Sequence, residues 1–232
     1  MAQKIRPTSL RLGLSKDWES RWFTDAKKKR YFLEEDLTIR RLIGKQLKDA
    51  GISKIEIERT ANSCRVNIWA MKPGFIIGRG GKGIEELTKK TNREVSLLRK
   101  RNAVSLSTPI NLSVLELPRN EISAQVTAQS IAIDLEKRYK FRRTIKKYLD
   151  EIMSHREVKG AKIMASGRLD GAEIARREKL MSGTLPLSNL RANIDYGEAT
   201  AFTTYGTVGI KVWMNKGEVF SDRQRAAKKI GD

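Results

Sequence analysis

The sequence contains almost no cysteine and almost no histidine. Cys64 is its only cysteine and His155 its only histidine. A single cysteine excludes an internal disulfide framework and is typical of a reducing compartment. One cysteine and one histidine cannot supply the ligands of a structural zinc site. We therefore expect both residues to be structural, and we expect neither a metal nor another cofactor.

Long hydrophobic runs are also missing. No stretch approaches the roughly 20 apolar residues that a bilayer-spanning helix needs. The N-terminus, Met1–Leu14, has no extended apolar region and no small-residue cleavage site, so we expect no secretory signal. These absences favour a cytoplasmic protein.

Acidic residues are scarce relative to basic ones. Forty-seven Lys and Arg stand against 27 Asp and Glu, which gives a formal net charge of +20 and a pI near 10.2. Self-repulsion of this size opposes compaction unless a polyanion neutralises it. Nucleic acid is the expected partner, because Lys and Arg that meet phosphates release condensed counterions. An anionic membrane surface is the competing interpretation.

The chain of 232 residues is long enough for two domains of about 100 residues each. Apolar periodicity predicts the order helix, strand, strand, glycine-rich loop, helix, strand, and further helices and strands follow Pro118. We therefore predict an α+β protein with two domains, in which the second packs an antiparallel sheet on helices. The predicted segments are an extended basic arm (1–16), a first domain (17–117), a second domain (118–220) and a charged tail (221–232).

The glycine-rich loop reads Gly78-Arg79-Gly80-Gly81-Lys82. With Gly83 it matches G-x-G-x-x-G, but a dinucleotide site also needs an acid about 20 residues later. Residues 97–112 contain no acid. A Walker loop needs Ser or Thr after its lysine, and Gly83 occupies that position.

The segment Gly78–Gly81 instead favours the G-x-x-G loop of a KH domain. Its glycines let the backbone approach a sugar–phosphate chain, and Arg79 and Lys82 supply positive charge. The order of elements fits the type II arrangement of that domain. A flexible turn with incidental charge is the alternative interpretation.

A second concentration of cations lies between Lys137 and Lys147. Helical spacing, with a break near Lys140, would bury one apolar stripe: Phe141, Ile145, Leu149 and Ile152. The cations Arg138, Arg142 and Lys146 would then repeat at i, i+4 spacing on another face, where they repel one another. A solvated charged face is the usual interpretation of such a run. Because few acids are interspersed, we predict that this helix binds phosphates.

Several short motifs occur in order along the chain: Lys4-Ile5-Arg6-Pro7, Arg11-Leu12-Gly13, Phe141-Arg142-Arg143, Ser166-Gly167-Arg168-Leu169, Gly171-Ala172-Glu173-Ile174-Ala175-Arg176, Leu190-Arg191-Ala192 and Thr204-Tyr205-Gly206. Together they resemble the family of the universal third protein of the small ribosomal subunit, in its bacterial form. That family combines a type II KH domain with a C-terminal domain.

The resemblance implies a structural protein of the small-subunit head that contacts ribosomal RNA, messenger RNA and neighbouring head proteins, in a cytoplasmic or organellar ribosome. It implies that a basic helix lines the messenger RNA entry tunnel, grips the message and aids its unwinding through Arg142, Arg143 and Lys146. It also implies contacts with ribosomal RNA for a further set of cations: Lys4, Arg6, Arg11, Arg168, Arg176 and Arg191.

Two other functions stay open. A free RNA-binding regulator built on a KH domain would not explain the motifs of the second domain. The other is an enzyme that acts on nucleic acid, such as a lyase at abasic sites, which needs an amine of depressed pKa; no lysine is marked out for that role by the sequence. A nuclease commonly needs clustered acids for metal, and Glu34-Glu35-Asp36 is the nearest such cluster. We expect these acids to form a helix N-terminus, where they favour the helix dipole, and we expect no enzymatic activity.

Overall fold

The computed structural model describes residues 4–47, 50–60, 63–102, 108–118 and 121–219. The chain divides into two compact units, Trp18–Arg119 and Met1–Asp17 with Asn120–Asp232. The predicted charged tail, 221–232, lies outside the described residues. No helix in the described ranges is long and apolar enough to cross a membrane.

Helices and strands alternate in an α+β pattern, which confirms the predicted fold class. The helices are α1 (Pro7–Leu10), α2 (Ala26–Gln46), α3 (Pro73–Ile77), α4 (Lys82–Arg101), α5 (Ala124–Glu136) and α6 (Phe141–Ser154). The strands are β1 (Ser20–Arg21), β2 (Ile52–Arg59), β3 (Cys64–Ala70), β4 (Ile110–Glu116), β5 (Gly160–Gly167), β6 (Arg176–Gly183), β7 (Ala192–Thr203) and β8 (Gly206–Glu218).

The first unit is a four-stranded sheet in the order β1-β2-β3-β4, with the helices α2 and α4 packed on it. The strands β2 and β3 form an antiparallel pair, whereas β4 runs parallel to β3. Alternate residues of β3, beginning at Cys64 and ending at Ala70, point into the core and are fully buried. The helices add Ile43 and Val95 to the same cluster. This arrangement is the predicted type II KH order.

The second unit is an antiparallel sheet in the order β6-β5-β8-β7. The helices α5 and α6 pack on one face, where β5 contributes Ala161, Ile163 and Ala165, all fully buried. The edge strand β6 was not predicted, because its side chains are mostly exposed and do not alternate between apolar and polar. The predicted antiparallel sheet on helices is confirmed.

The N-terminal segment departs from the predicted extended arm. Residues 7–10 form the short helix α1, and Arg11 is fully buried within the second unit. The Arg11 guanidinium donates hydrogen bonds to four backbone carbonyls: those of Pro7, Leu187, Asn189 and Ala192. Arg11 therefore fixes the segment to the start of β7, and its side chain has no exposed surface with which to contact RNA.

The helical region after Ser123 breaks where the sequence predicts it. The helix α5 ends at Glu136, Arg138 has a positive φ of 66°, and α6 begins after Lys140. The prediction that Arg138 stacks in one helix with Arg142 is therefore wrong, because the turn carries Arg138 outside α6.

Candidate nucleic-acid interface

The KH loop joins α3 to α4 through backbone conformations that favour glycine. Gly78, Gly80 and Gly81 have φ values of 69°, 61° and 78°. Residues other than glycine rarely adopt this left-handed region of backbone conformation. Arg79 and Lys82 are exposed within this turn. The loop thus presents bare backbone and two cations to the solvent.

Apolar side chains flank the KH loop. Phe75 is 69% exposed and Ile77 is 40% exposed, while Ile76 is buried and holds α3 on the sheet. A Cβ atom on Gly83 would lie 2.7 Å from the carbonyl oxygen of Ile76, so α4 begins in direct contact with α3. This close packing holds the loop and the exposed apolar pair in a fixed arrangement.

The helix α6 separates its apolar and basic residues onto two faces. Its apolar stripe is buried as predicted, from Phe141 (3% exposed) to Ile152 (0%). Arg142, Arg143 and Lys146 are exposed on the other face. Because the buried stripe holds the helix on the sheet, these cations project from a rigid element.

A carboxylate on β6 anchors part of this basic face. Glu178 accepts hydrogen bonds from the Nε and Nη2 atoms of Arg142 at 3.0 and 3.2 Å, and from Nε of Arg176 at 3.0 Å. The hydrogen bond from Arg142 lowers the pKa of the Glu178 carboxyl below its ordinary value. The Arg176 guanidinium also lies 5.6 Å from the centre of the Phe141 ring. Glu178 was not predicted as a site residue, since its position beside α6 depends on strand β6, whose exposed side chains give no strand pattern.

The predicted ribosomal RNA contacts divide into exposed and structural residues. The exposed ones are Lys4, Arg6, Arg176 and Arg191. Arg168, like Arg11, is engaged by the fold: its Nε and Nη1 atoms donate to the carbonyls of Ala172 and Tyr205 at 2.9 and 3.0 Å. Arg168 thus joins two loops of the second unit, and its contact with ribosomal RNA stays a prediction.

The acidic cluster around Glu35 also differs from its prediction. It lies in the middle of α2 rather than at a helix N-terminus, and Glu35 and Asp36 both accept hydrogen bonds from Arg59 at 2.6 Å. Arg99 donates to Glu35 at 2.8 Å. The cluster is thus a buried ion network of the first unit.

The described residues contain no group of three or more His, Cys, Asp and Glu side chains that could hold a metal ion. Cys64 is fully buried in β3, and burial raises the pKa of its thiol. A thiol with a raised pKa carries little of the reactive thiolate at neutral pH. The structural role predicted for Cys64 agrees with this position.

Both units match known families. A KH domain model matches residues 38–122, and the model of the ribosomal protein S3 C-terminal domain matches residues 131–214. A Clostridium botulinum (strain Alaska E43 / Type E3) protein, named small ribosomal subunit protein uS3, is 46% identical over 97% of this chain and 96% of its own. This chain belongs to the uS3 family.

Two further uS3 proteins show that the similarity extends along the whole chain. One, from Caldicellulosiruptor saccharolyticus, is 44% identical over the full length of both chains. Another, from Clostridium novyi, is 44% identical over 99% of both. The resemblance inferred from the sequence motifs is therefore confirmed. The KH loop falls within the KH match, and α6 falls within the match to the C-terminal domain.

Proposed function

We propose that this chain is a structural component of the small ribosomal subunit head that binds ribosomal RNA and lines the messenger RNA entry tunnel with α6. The observation that carries the proposal is the exposed basic face of α6, formed by Arg142, Arg143 and Lys146 above a buried apolar stripe. Cations on a rigid helix meet phosphates without first losing the freedom of a mobile loop.

The mechanism is electrostatic. The three cations grip phosphates of the incoming strand while translocation pulls the message, so that paired strands separate outside the tunnel. Contacts with phosphates do not depend on the base sequence, as a protein that handles every message requires. This chain hydrolyses no nucleotide in the process.

The KH loop supplies a separate contact with unpaired RNA. The KH loop, G-x-x-G, clamps the backbone of about four nucleotides, and Gly78, Gly80 and Gly81 leave room for that approach. Phe75 and Ile77 offer apolar surface beside the loop. Lys4, Arg6, Arg168, Arg176 and Arg191 are the remaining contacts proposed for ribosomal RNA, and neighbouring head proteins complete the set of partners.

Translation by purified ribosomes tests the role of α6. Ribosomes carrying Arg142→Ala, Arg143→Ala and Lys146→Ala together should slow selectively on a message with a stable downstream hairpin, and should keep normal speed on an unstructured one. The matched control removes three exposed lysines elsewhere: Lys45→Ala, Lys89→Ala and Lys90→Ala. Equal speed of the α6 variant on both messages, with normal assembly, would overturn the unwinding role and leave an ordinary anchor for ribosomal RNA.

A further inference from the structure

The second sheet has an outer face that is opposite the helices. Residues of a strand alternate between the two faces of a sheet, and Ala161, Ile163 and Ala165 of β5 point towards α5 and α6. Lys162 and Met164 therefore point away from the helices. Residues directly opposite each other on paired strands share a face, so the register identifies the other members of this outer face.

The register gathers cations and aromatic rings on the outer face. Met164 pairs with Lys179 on one side and Lys211 on the other, and Lys162 pairs with Trp213, which in turn pairs with Tyr196. Arg177 lies opposite Ser166 on the same face. We call the following residues the outer platform: Lys162, Arg177, Lys179, Tyr196, Lys211 and Trp213.

The aromatic rings hold cations in place. The Lys162 ammonium lies 5.0 Å from the centre of the Trp213 ring, and the Arg6 guanidinium lies 5.2 Å from that of Tyr196. The two rings are themselves 5.5 Å apart. Such contacts are worth about 0.5–1 kcal/mol at exposed sites, and they order side chains that would otherwise be mobile. The rings thus serve as supports for cations.

Positive charge on the platform is poorly neutralised. Glu198 lies opposite Lys211 in the register and forms an ion pair with Arg6 at 3.0 Å, but Lys162, Lys179 and Lys211 form no ion pair within 4.0 Å of any described carboxylate. Burial, together with the charges of Lys179 and Lys4, lowers the pKa of Lys162. A fold that holds more cations together than its own carboxylates neutralise is stabilised when an external anion binds.

We propose that the outer platform binds the sugar–phosphate backbone of ribosomal RNA, as a surface separate from the KH loop and from α6. The inference rests on the proposed function and adds a binding site to it. A phosphate backbone is favoured over an acidic protein segment because every nucleotide carries a charge, and the platform draws cations from β5, β6 and β8. Because cations cover the rings, the platform recognises phosphates rather than stacked bases.

Binding of the full chain to small-subunit ribosomal RNA tests the platform. The variant Lys162→Gln, Lys179→Gln, Lys211→Gln should bind at least tenfold more weakly. Its plot of log affinity against log salt should lose about 2–3 units of slope, because each lost phosphate contact removes about 0.7–0.9. The control variant Lys45→Gln, Lys89→Gln, Lys90→Gln has the same net charge and should lose less than threefold. Equal losses in the two variants would overturn the proposal.

Acetylation of lysines shows where the RNA lies. On the wild-type chain, ribosomal RNA should protect Lys162, Lys179 and Lys211 from acetylation, while polyglutamate at equal charge concentration should protect them far less. Equal protection by polyglutamate would assign the platform to an acidic protein segment. If RNA binds but protects only lysines outside the platform, this inference fails and the proposed function stands. If the chain does not bind the RNA at all, both fail.

Discussion

Arg142 of α6 donates two hydrogen bonds to Glu178 of β6, one to each carboxylate oxygen. The Arg142 side chain is nevertheless 76% exposed. Exposed ion pairs contribute little to stability, so a phosphate can replace the carboxylate at small cost. Glu178 therefore orients Arg142 while leaving it able to change partners.

Replacing Glu178 with Gln should strengthen binding to single-stranded RNA at low salt. The change removes the charge that competes with phosphate for Arg142, so one more cation is available. The salt dependence should steepen by about 0.7 in slope, which is one additional phosphate contact with a single strand. Fluorescence anisotropy across a salt series measures both quantities. Glu173→Gln, an exposed residue that precedes β6, is the control, and identical slopes for the two variants would contradict the prediction.

The buried network of the first unit should be sensitive to the loss of a single carboxylate. Glu35→Gln leaves Arg59 and Arg99 with less compensating charge in a buried site, where the side chains of Arg59 and Glu35 are 5% and 3% exposed. Breaking a buried ion pair costs about 3–5 kcal/mol. Hydrogen exchange of the β2 and β3 amides in the full chain measures this loss of unfolding free energy. The exposed change Glu94→Gln on α4 should leave the exchange within about 0.5 kcal/mol of wild type.

The same network predicts instability in acid. Burial disfavours the charged form of Glu35, but hydrogen bonds and charges from Arg99 and Arg59 outweigh it, and the pKa of Glu35 lies below its ordinary value. The stability that Glu35 contributes is therefore present above the pKa of the unfolded chain, about 4.3, and is lost as pH falls through the lower folded pKa. Exchange measured from pH 6 down to pH 3 should show a steeper loss in wild type than in Glu35→Gln. Parallel curves would contradict the assignment.

The same substitution, glycine to alanine, should have opposite effects at two positions. A Cβ atom on Gly197 in β7 would overlap the backbone carbonyl of Ala124, where α5 begins, and overpacking of this kind costs about 1–3 kcal/mol. Gly44 is exposed inside α2, with no atom near its Cβ direction. Gly44→Ala should stabilise the first unit by about 0.5–1 kcal/mol. Calorimetry of the full chain measures the change in unfolding temperature for each variant. A change of the same sign in the two variants would refute the packing argument.

Arg11→Met should loosen the N-terminal segment. Methionine retains the apolar stem but removes the donors to four backbone carbonyls, and each buried group left unpaired costs about 1–3 kcal/mol. Limited proteolysis should then cut within residues 4–16 at least tenfold faster than in wild type. Arg6→Met, at a half-exposed ion pair, should change the cleavage rate by less than threefold. Unchanged cleavage in Arg11→Met would show that other contacts hold the segment.

Much of the fold could be predicted because its amphipathic patterns are strong. The stripe from Phe141 to Ile152 and the break near Lys140 were both visible in the spacing of apolar residues. The strand β6 was not, because an edge strand with exposed side chains lacks the alternation by which strands are recognised. The burial of Glu35 was not predicted for a related reason. Residue type alone does not distinguish a buried carboxylate from an exposed one, and its partners Arg59 and Arg99 are distant in sequence.

The candidate site was predictable to a similar degree. A cluster of glycines and cations identified the KH loop, because its backbone conformation and its charge both follow from the types of adjacent residues. The exposure of individual arginines was not predictable. Arg11 and Arg168 carry the same charge as Arg142, yet long-range hydrogen bonds to backbone carbonyls engage them in the fold.

The burial of Arg11 sets an order of events during synthesis. Its hydrogen bond to Ala192 spans 181 positions of sequence, which take roughly 10–40 s to make at about 5–20 residues per second. The first unit is continuous from Trp18 to Arg119 and is complete well before that time. The Arg11 side chain therefore stays in water until Leu187, Asn189 and Ala192 provide three of its four carbonyl partners.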